Sequence, residues 1–311
     1  MYPNIQFSGY SRLAGMEGEV QLTKLNLMHD ELLQEDLIGV ISYRKPGEYF
    51  HGSMLYDFDE LILIIGEGRE PVRSIQHLFI NGLKCQVLYT TLSCLKGWII
   101  AGEQANIIDY VLEGRMVWER DDRVRLLRQE IIEFNDPLRE QKRFHEFSRF
   151  LVNYVQGKKA VREGRIIDAY QSVLKALDHW ASIELIERGI YPKVHLWVQM
   201  QPLDRTIEKL YNELTLSTET LEQRVELVLL ACEFSVMSKM EECSSPLFRI
   251  LGSRREPWSI DELMNHPELK NLQLDLTVVL RKLVYRSLIR ESAVGEFRDR
   301  GQNRELRYSL L

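Results

Sequence analysis

The sequence predicts an α+β protein in three parts: a mixed-sheet unit, a helical bundle, and a short C-terminal unit of helices and strands. About the first third of its 311 residues mixes short apolar runs with turn residues. Helical periodicity begins after Trp118 and continues until short strand patterns return near the C-terminus. Strands and turns followed by a run of long helices are typical of an α+β architecture.

The mixed-sheet unit, residues 1–118, contains four strand patterns. The second is apolar without interruption, as expected of a strand covered on both faces. Asn81-Gly82 separates the third and fourth and is a strong hairpin signal, because a type I′ turn needs positive φ at both central residues. The predicted elements are a helix near Asp30–Glu35, strands at Leu37–Tyr43, Glu60–Ile65, His77–Ile80 and Leu83–Thr90, and a helix from Ser93 through Trp98.

Residues 119–243 have the apolar spacing of a helical bundle. Between Ile166 and Arg188, apolar side chains recur every three or four residues and form one stripe. Charges of alternating sign between Arg120 and Phe134 indicate a solvated helix that links two domains, and Gly157 is expected to break a helix. The predicted helices are Arg120–Phe134, Pro137–Val155, Ile166–Arg188, Asp204–Leu214 and Thr220–Met240.

The C-terminal unit, residues 244–311, has the element order of a winged helix. Three short helices are predicted at Leu247–Leu251, Trp258–Leu263 and Asp275–Arg286, followed by strands at Leu288–Val294 and Glu305–Leu310. From Ser253 to Leu311 there are 11 Lys and Arg against 9 Asp and Glu, a balance of +2. The whole chain carries -6, so the remainder carries -8.

Composition and charge exclude several classes of protein. Four cysteines without metal-ligand spacing predict reduced structural thiols rather than a disulfide scaffold. The longest aliphatic run, Leu61–Ile65, is far short of the roughly 20 apolar residues of a membrane-spanning helix, and the N-terminus lacks a signal pattern, so we expect a cytoplasmic protein without membrane contact. The net charge offers no general basic field for nucleic acid.

Two carboxylates at the head of the second strand are candidate metal ligands. Asp57 and Asp59 are two residues apart and precede an apolar strand. Side chains at that spacing project to the same side of a strand and can present oxygen ligands to Mg²⁺. The alternative is that both are solvated residues before a buried strand.

At this point the sequence resembles the nucleotidyltransferase superfamily with the polymerase-beta-like fold. The resemblance extends to Gly157-Lys158, Ala176–Ala181 and Lys209–Leu214, which are similar to the middle domain of nucleotidyltransferase-like proteins of Bacillus and relatives. It implies a nucleotidyltransferase-like N-terminal domain, a helical substrate-binding-like domain and a C-terminal helix-turn-helix. It also implies two-metal transfer of a nucleotidyl group from an NTP, with Mg²⁺ on Asp57 and Asp59.

The sequence departs from the active superfamily pattern at two positions. No Gly-Ser pair occurs between Tyr43 and Gly47, and Gly52-Ser53 lies close to Asp57. Gln86 stands where a third metal-binding acid is expected, and a neutral amide is a poorer cation ligand. Gly52 and Ser53 either contact a phosphate or form a simple turn. Arg44 and Lys45 either bind phosphate through their positive charges or are an ordinary exposed basic pair.

The helical parts add further candidate residues. His179 and Glu184, on the helix Ile166–Arg188, are candidate bases for an acceptor hydroxyl, with structural roles as the alternative. In the winged helix, cations on the third helix and in the wing suit phosphate contacts to DNA, although winged helices also dock proteins. These cations are Arg281, Lys282, Arg286, Arg298 and Arg300.

Two functions follow from the sequence. The first is a Mg²⁺-dependent nucleotidyltransferase that acts on an unknown acceptor held by the bundle. The second is a catalytically inactive regulator or scaffold that contacts DNA or a protein through its winged helix. The sequence leaves the oligomeric state open, with a homodimer among the alternatives.

Overall fold

A computed structural model describes residues 36–44, 58–67, 75–80, 82–102, 107–193, 195–203, 205–294 and 304–311. The chain divides into two compact units, one formed by residues up to Ile99 together with Glu103–Glu133 and the other by Ile100–Gly102 together with Phe134–Leu311. The predicted three-domain boundaries at 118 and 243 stay a prediction. The predicted helix at Asp30–Glu35 lies outside the described residues.

The first unit is built on a five-stranded mixed sheet in the order β3-β4-β2-β1-β5. Strands β2 and β4 are parallel, and the other neighbouring pairs are antiparallel. The elements are β1 (Leu37–Tyr43), β2 (Glu60–Gly66), β3 (Ile75–Ile80), β4 (Leu83–Thr91), α1 (Leu92–Ala101), α2 (Ile107–Glu113), β5 (Arg115–Glu119) and α3 (Arg123–Glu133).

Strands β1 and β2 form the centre of this sheet because each has five consecutive buried residues. On one face, Val40, Ile62 and Val87 belong to a single apolar cluster. On the other face, α3 packs so closely on β1 that a Cβ added at Gly39 would lie 3.0 Å from Val124 Cγ2. The predicted buried strands are therefore present, with both faces covered.

The second unit begins with the bundle. Its longest helices, α4, α5 and α8, pack on one another. Thr220 caps α8 with a reciprocal capping box to Gln223. The bundle helices are α4 (Asp136–Arg162), α5 (Ile166–Glu187), α6 (Leu196–Met200), α7 (Arg205–Leu216) and α8 (Leu221–Cys243).

The winged helix belongs to the same compact unit as the bundle. Its elements are α9 (Ser245–Leu251), β6 (Trp258–Ser259), α10 (Ile260–Met264), α11 (Leu276–Tyr285), β7 (Arg290–Val294) and β8 (Glu305–Ser309). The strands form a sheet in the order β6-β8-β7. The α+β architecture with an N-terminal mixed sheet, a helical middle and a C-terminal helix-turn-helix is confirmed.

Two features differ from the sequence-based expectations. The linking helix is α3, and it is not solvated on all sides, because Val124, Leu127 and Ile131 are buried in the first unit. Gly157 does not break a helix: α4 continues to Arg162. A Cβ at Gly157 would lie 3.2 Å from both Leu229 and Val173, so the glycine permits close packing of α4 with α8 and α5.

No described helix combines the length and the apolar composition that crossing a membrane requires. None of the four cysteines forms a disulfide, three of them are buried, and burial raises the pKa of Cys232 to about 12. The prediction of reduced structural thiols agrees with this arrangement.

We expect Gly114→Ala to lower the free energy of unfolding by about 1–3 kcal/mol. An added Cβ at Gly114, between α2 and β5, would overlap the Ile41 side chain and the Tyr110 carbonyl oxygen. Denaturant unfolding of the full chain measures the effect. Gly66→Ala is the matched control, since its Cβ would make only ordinary contacts, the nearest at 3.5 Å from Asp36 O. Equal effects of the two substitutions would contradict the prediction.

Candidate functional site

Arg44 and Glu60 face each other where β1 ends and β2 begins. The β1–β2 register pairs Tyr43 with Leu61, so the next positions along, Arg44 and Glu60, lie opposite one another. Arg44 Nη2 is 2.7 Å from Glu60 Oε2, and the Ser42 hydroxyl donates a hydrogen bond to Glu60 Oε1. Both oxygens of Glu60 are therefore engaged. The Arg44 side chain remains 58% exposed, so guanidinium N–H groups stay accessible to a further acceptor.

A pocket of about 400 Å³ opens beside this pair and is lined by Ser42, Arg44, Glu113 and Arg115. Arg115 belongs to it because the β1–β5 register places it opposite Ser42. The Tyr43 hydroxyl lies 3.4 Å from Glu113 Oε2 on the pocket wall. Two guanidinium groups in one pocket suit an anion with several oxygen atoms.

Asp59 stands at the head of the central strand β2, as expected, but its carboxylate is partly used. Asp59 Oδ2 accepts a hydrogen bond from the Lys84 N–H at 2.8 Å. The Asp59 N–H donates to the Lys84 carbonyl at 2.9 Å. The side chain is exposed and extends the β2–β4 ladder by one residue.

Strand alternation places Asp59 on the opposite side of the sheet from Glu60. Asp59 shares its side with Leu61 and, through the β2–β4 register, with Gln86. The Gln86 amide nitrogen lies 3.4 Å from His77 Nε2 on β3. On the side of the sheet that Asp59 faces, β4 therefore offers an amide two residues beyond Lys84, where a third metal-binding carboxylate was expected.

The described residues do not fit the magnesium centre that the fold family implies. Among them, no three His, Cys, Asp or Glu side chains are close enough to hold a metal ion together. Asp59 has one oxygen bound to a backbone amide, and the neighbouring Gln86 brings no charge. Asp57, Gly52, Ser53 and Lys45 lie outside the described residues, so Mg²⁺ binding stays a prediction.

His179 belongs to a buried charged cluster in the bundle, which we call the α4 cluster and define as Lys142, Glu146 and His179. Lys142 Nζ is 3.2 Å from Glu146 Oε1, and His179 Nδ1 is 2.7 Å from Glu146 Oε2. Lys142 also donates to the Ile100 carbonyl at 3.0 Å. The Lys142 and Glu146 side chains are 2% and 8% exposed, whereas His179 is 25% exposed.

The charge on Glu146 fixes the tautomer of His179. Burial raises the pKa of the Glu146 carboxyl, but the Lys142 ammonium and the His179 hydrogen bond outweigh burial and lower the pKa to about 2. An ionised carboxylate only accepts hydrogen bonds, so His179 Nδ1 carries a proton. Proton exchange of the imidazole therefore takes place at Nε2. This geometry is compatible with either a base or a structural histidine.

Glu184 lies in an ion-pair cluster. Its carboxylate pairs with Arg188 at 2.8 Å and with Lys239 at 3.0 Å. Burial raises the pKa of Glu184, but the hydrogen bonds from Lys239 and Arg188 outweigh burial and lower it. A carboxylate held in this way is a weak base, and its proposed catalytic role stays a prediction.

Three of the five cations predicted to contact DNA are among the described residues, and their environments differ. Arg281 Nη1 pairs with Glu291 on β7 at 2.9 Å. Lys282 Nζ lies 5.6 Å from the ring centroid of Tyr154 on α4, and burial lowers its pKa. Arg286 is exposed and has no ion-pair partner among the described residues. Arg298 and Arg300 lie outside these residues.

Several residues of the pocket were not found from the sequence. Ser42, Glu113 and Arg115 come together only through the pairing of β1 with β5 and the end of α2. Glu60 was assigned to strand β2 without a role, although it lies opposite Arg44. The sequence feature that could have indicated this pocket is that charged residues lie directly at the ends of the apolar runs of β1 and β2.

A mixed sheet with an acid at the head of its central strand, followed by a bundle and a winged helix, defines the class of nucleotidyltransferase-like proteins with a helix-turn-helix domain. Three family models match the chain in this order. Residues 21–139 match the model described as nucleotidyltransferase-like, residues 140–239 the YgxA-like substrate binding domain, and residues 245–295 a helix-turn-helix domain.

The chain belongs to the family of the Bacillus subtilis (strain 168) protein described as uncharacterized protein YgxA. The two are 34% identical over 238 residues, which cover 76% of this chain and 80% of that protein. The crystal structure of a nucleotidyltransferase-like protein from Exiguobacterium sibiricum 255-15 is similar, with a TM-score of 0.78 at 28% identity. That match covers 94% of this chain and 99% of the other. The resemblance predicted from the sequence is confirmed.

We expect Glu146→Gln to lower the free energy of unfolding at neutral pH by about 3–5 kcal/mol, because it leaves the Lys142 ammonium buried without its counter-charge. The native carboxylate has a lowered pKa, so its stabilisation is present above pH 4.5 and is lost as the pH falls from 4.5 to about 2. The variant should lack this pH dependence. Denaturant unfolding at a series of pH values measures both effects.

Glu163→Gln, at the residue that caps the C-terminus of α4, is the control, because its ion pair with Arg165 is exposed to solvent. It should leave the unfolding free energy near that of the native chain. Lys142→Met combined with Glu146→Leu, which removes both buried charges, should recover much of the loss. A loss for Glu146→Gln no larger than that for Glu163→Gln would contradict the prediction.

Proposed function

We propose that this protein is a nucleotide-binding regulator that keeps the nucleotidyltransferase fold and has lost the transfer reaction. The observation that carries the proposal is the neutral Gln86 on the side of the sheet that Asp59 faces, together with the Asp59 carboxylate, which already binds the Lys84 amide. Transfer through two metal ions needs several carboxylates to neutralise and position the cations. The donor set of the described residues supports binding without transfer.

The pocket beside β1 supplies the chemistry for the bound nucleotide. Arg44 and Arg115 would hold phosphate oxygens through paired N–H groups. Glu60 lies 2.7 Å from Arg44, so a phosphate would displace this carboxylate or share the guanidinium with it.

The winged helix would be the part of such a regulator that binds DNA or a protein. Arg281 is paired with Glu291 and Lys282 is held over Tyr154, so of the three predicted DNA contacts in or directly after α11 Arg286 alone is exposed without an ion-pair partner among the described residues. One such cation at α11 gives little attraction for a phosphate backbone. The described part of α11 and its C-terminus therefore supports a protein partner more than DNA.

Mg²⁺-dependent nucleotidyl transfer is the second candidate function. It is favoured by the position of Asp59, an exposed carboxylate at the head of the central strand, where the superfamily keeps its metal ligands. Asp57 and Asp59 would hold the metal ion, which would neutralise charge on the NTP phosphates. The NTP and the acceptor would be the substrates.

Calorimetry with ATP, GTP, CTP and UTP, with and without Mg²⁺, tests the choice between these functions. We expect at least one nucleotide to bind without Mg²⁺. Its affinity should fall at least about tenfold in Arg44→Ala combined with Arg115→Ala, because two charge-assisted contacts are lost. Asp59→Ala should bind as the native chain does. Arg125→Ala, an exposed arginine of α3 outside the pocket, is the matched control.

The outcomes separate the candidates. Binding that requires Mg²⁺ and is lost in Asp59→Ala would contradict the regulator and support the transferase. No binding of any nucleotide up to millimolar concentration would overturn both. Unfolding curves of each variant exclude loss of structure as the cause.

We expect weak, salt-sensitive binding of the full chain to duplex DNA, measured by fluorescence anisotropy over a range of salt concentrations. Arg286→Ala should reduce the log–log salt slope by about one, because one phosphate contact is removed. Lys282→Ala should change the slope less, since that ammonium lies against Tyr154. Nanomolar affinity at physiological salt would contradict the preference for a protein partner.

A further inference from the structure

The outward face of α8 carries three large apolar side chains that are about half to three-quarters exposed among the described residues. Leu227, Leu230 and Phe234 are 48%, 67% and 77% exposed. They are three and four residues apart, so they lie within one narrow arc of the helix. We call this set the α8 stripe. Single exposed apolar residues are ordinary, but three in a row on a rigid helix mark an interaction surface.

Contacts on both flanks fix the direction in which the α8 stripe points. On one flank, Glu233 binds Lys158 of α4 at 2.9 Å. On the other, Arg224 donates to the Leu214 carbonyl of α7 at 2.9 Å. A period of 3.6 residues places the stripe midway between these anchors, facing outward. The surface is therefore formed before any partner arrives.

The exposed polar residues along this helix give the surface a negative charge. Glu222, Glu226 and Glu241 are exposed and have no ion-pair partner among the described residues. The two cations of the helix, Arg224 and Lys239, are half-buried and are engaged with Leu214 and with Glu187. Thus α8 presents apolar side chains with carboxylates beside them and no exposed cation.

This charge selects among the partners that an apolar stripe could accept. Carboxylates repel nucleic acid and the anionic surface of a membrane. A second copy of the chain placed on the same face would bring glutamates against glutamates, which is unfavourable. A cationic partner matches both features of the surface.

We propose that the α8 stripe is the docking site for an amphipathic helix of another protein, with apolar residues on one face and Lys or Arg beside them. The apolar face of the partner helix would cover Leu230 and Phe234. The cations of the partner helix would pair with the exposed glutamates of α8, such as Glu226. This is the helix-on-helix mode of recognition, in which apolar anchors supply affinity and flanking charges set orientation. It does not depend on whether the first unit binds a nucleotide.

A three-heptad helical peptide with Leu at the core positions and Lys at the flanking positions is the probe, and its counterpart with Glu in place of Lys is the reference. Binding of each labelled peptide to the full chain is measured by fluorescence anisotropy. We expect the Lys peptide to bind and the Glu peptide to bind at least about tenfold more weakly. Leu230→Ser combined with Phe234→Ser should weaken the Lys peptide by at least about tenfold.

Ile167→Ser combined with Val198→Ser is the matched control, because Ile167 and Val198 are 69% and 64% exposed on other helices of the same unit. It should leave the affinity unchanged. Equal weakening by the two double variants, or equal binding of the two peptides, would overturn the proposal. So would a dimer in sedimentation velocity that the α8 variant dissociates, since that would identify a second copy as the occupant.

Discussion

Lys142 and Glu146 place two opposite charges in the interior of the second unit, one turn apart on α4. Removing two ions from water costs several kcal/mol each, and their attraction offsets this only where the geometry is good and further hydrogen bonds complete it. Here Ile100 and His179 supply those bonds at 3.0 and 2.7 Å. The turn of α4 that holds the pair is thereby tied to α5. Other packings of these helices would leave a buried charge unpaired.

The same stretch of α4 also holds the winged helix. His145, between the two charges, donates from Nδ1 to the Leu272 carbonyl at 2.6 Å, and the Asp275 N–H donates to Ser148 Oγ at 3.2 Å. Lys282 covers the ring of Tyr154 further along the helix. The winged helix is therefore not an independent module on a linker. Any partner that binds it meets a surface whose side chains are shared with the bundle.

The strands and the element order could be predicted from the sequence because they depend on local patterns. The uninterrupted apolar runs of β1 and β2 and the turn signal at Asn81-Gly82 each sit within a few residues of the element that they specify. The short strand β5 was missed because Arg115–Glu119 has little apolar alternation and is stabilised by its pairing with β1. The prediction for Gly157 was wrong because a glycine within a helical pattern looks the same in the sequence in two cases: where it ends the helix, and where it lets a neighbouring helix pack closely.

The candidate site was less predictable for a related reason. Arg44 was found because it follows an apolar strand, but its partner Glu60 and the pocket residue Arg115 depend on strand register. Likewise, Lys142 and Glu146 are spaced as any exposed helical ion pair would be, and only tertiary contacts, among them those with Ile100 and His179, show that the pair is buried. A sequence pattern can assign a charged or polar residue to a particular helix or strand. Which of these residues lie close together depends on how the helices and strands pair.

The missing side chain at Gly157 limits how the bundle can move. Leu229 and Val173 approach this position from two different helices, and each would lie 3.2 Å from an added Cβ. An alanine at this position would push both of these side chains outward, because each contact would be shorter than ordinary van der Waals contact. A densely packed interior transmits such strain. A small displacement of α4 at this crossing is therefore felt by α5 and α8 together.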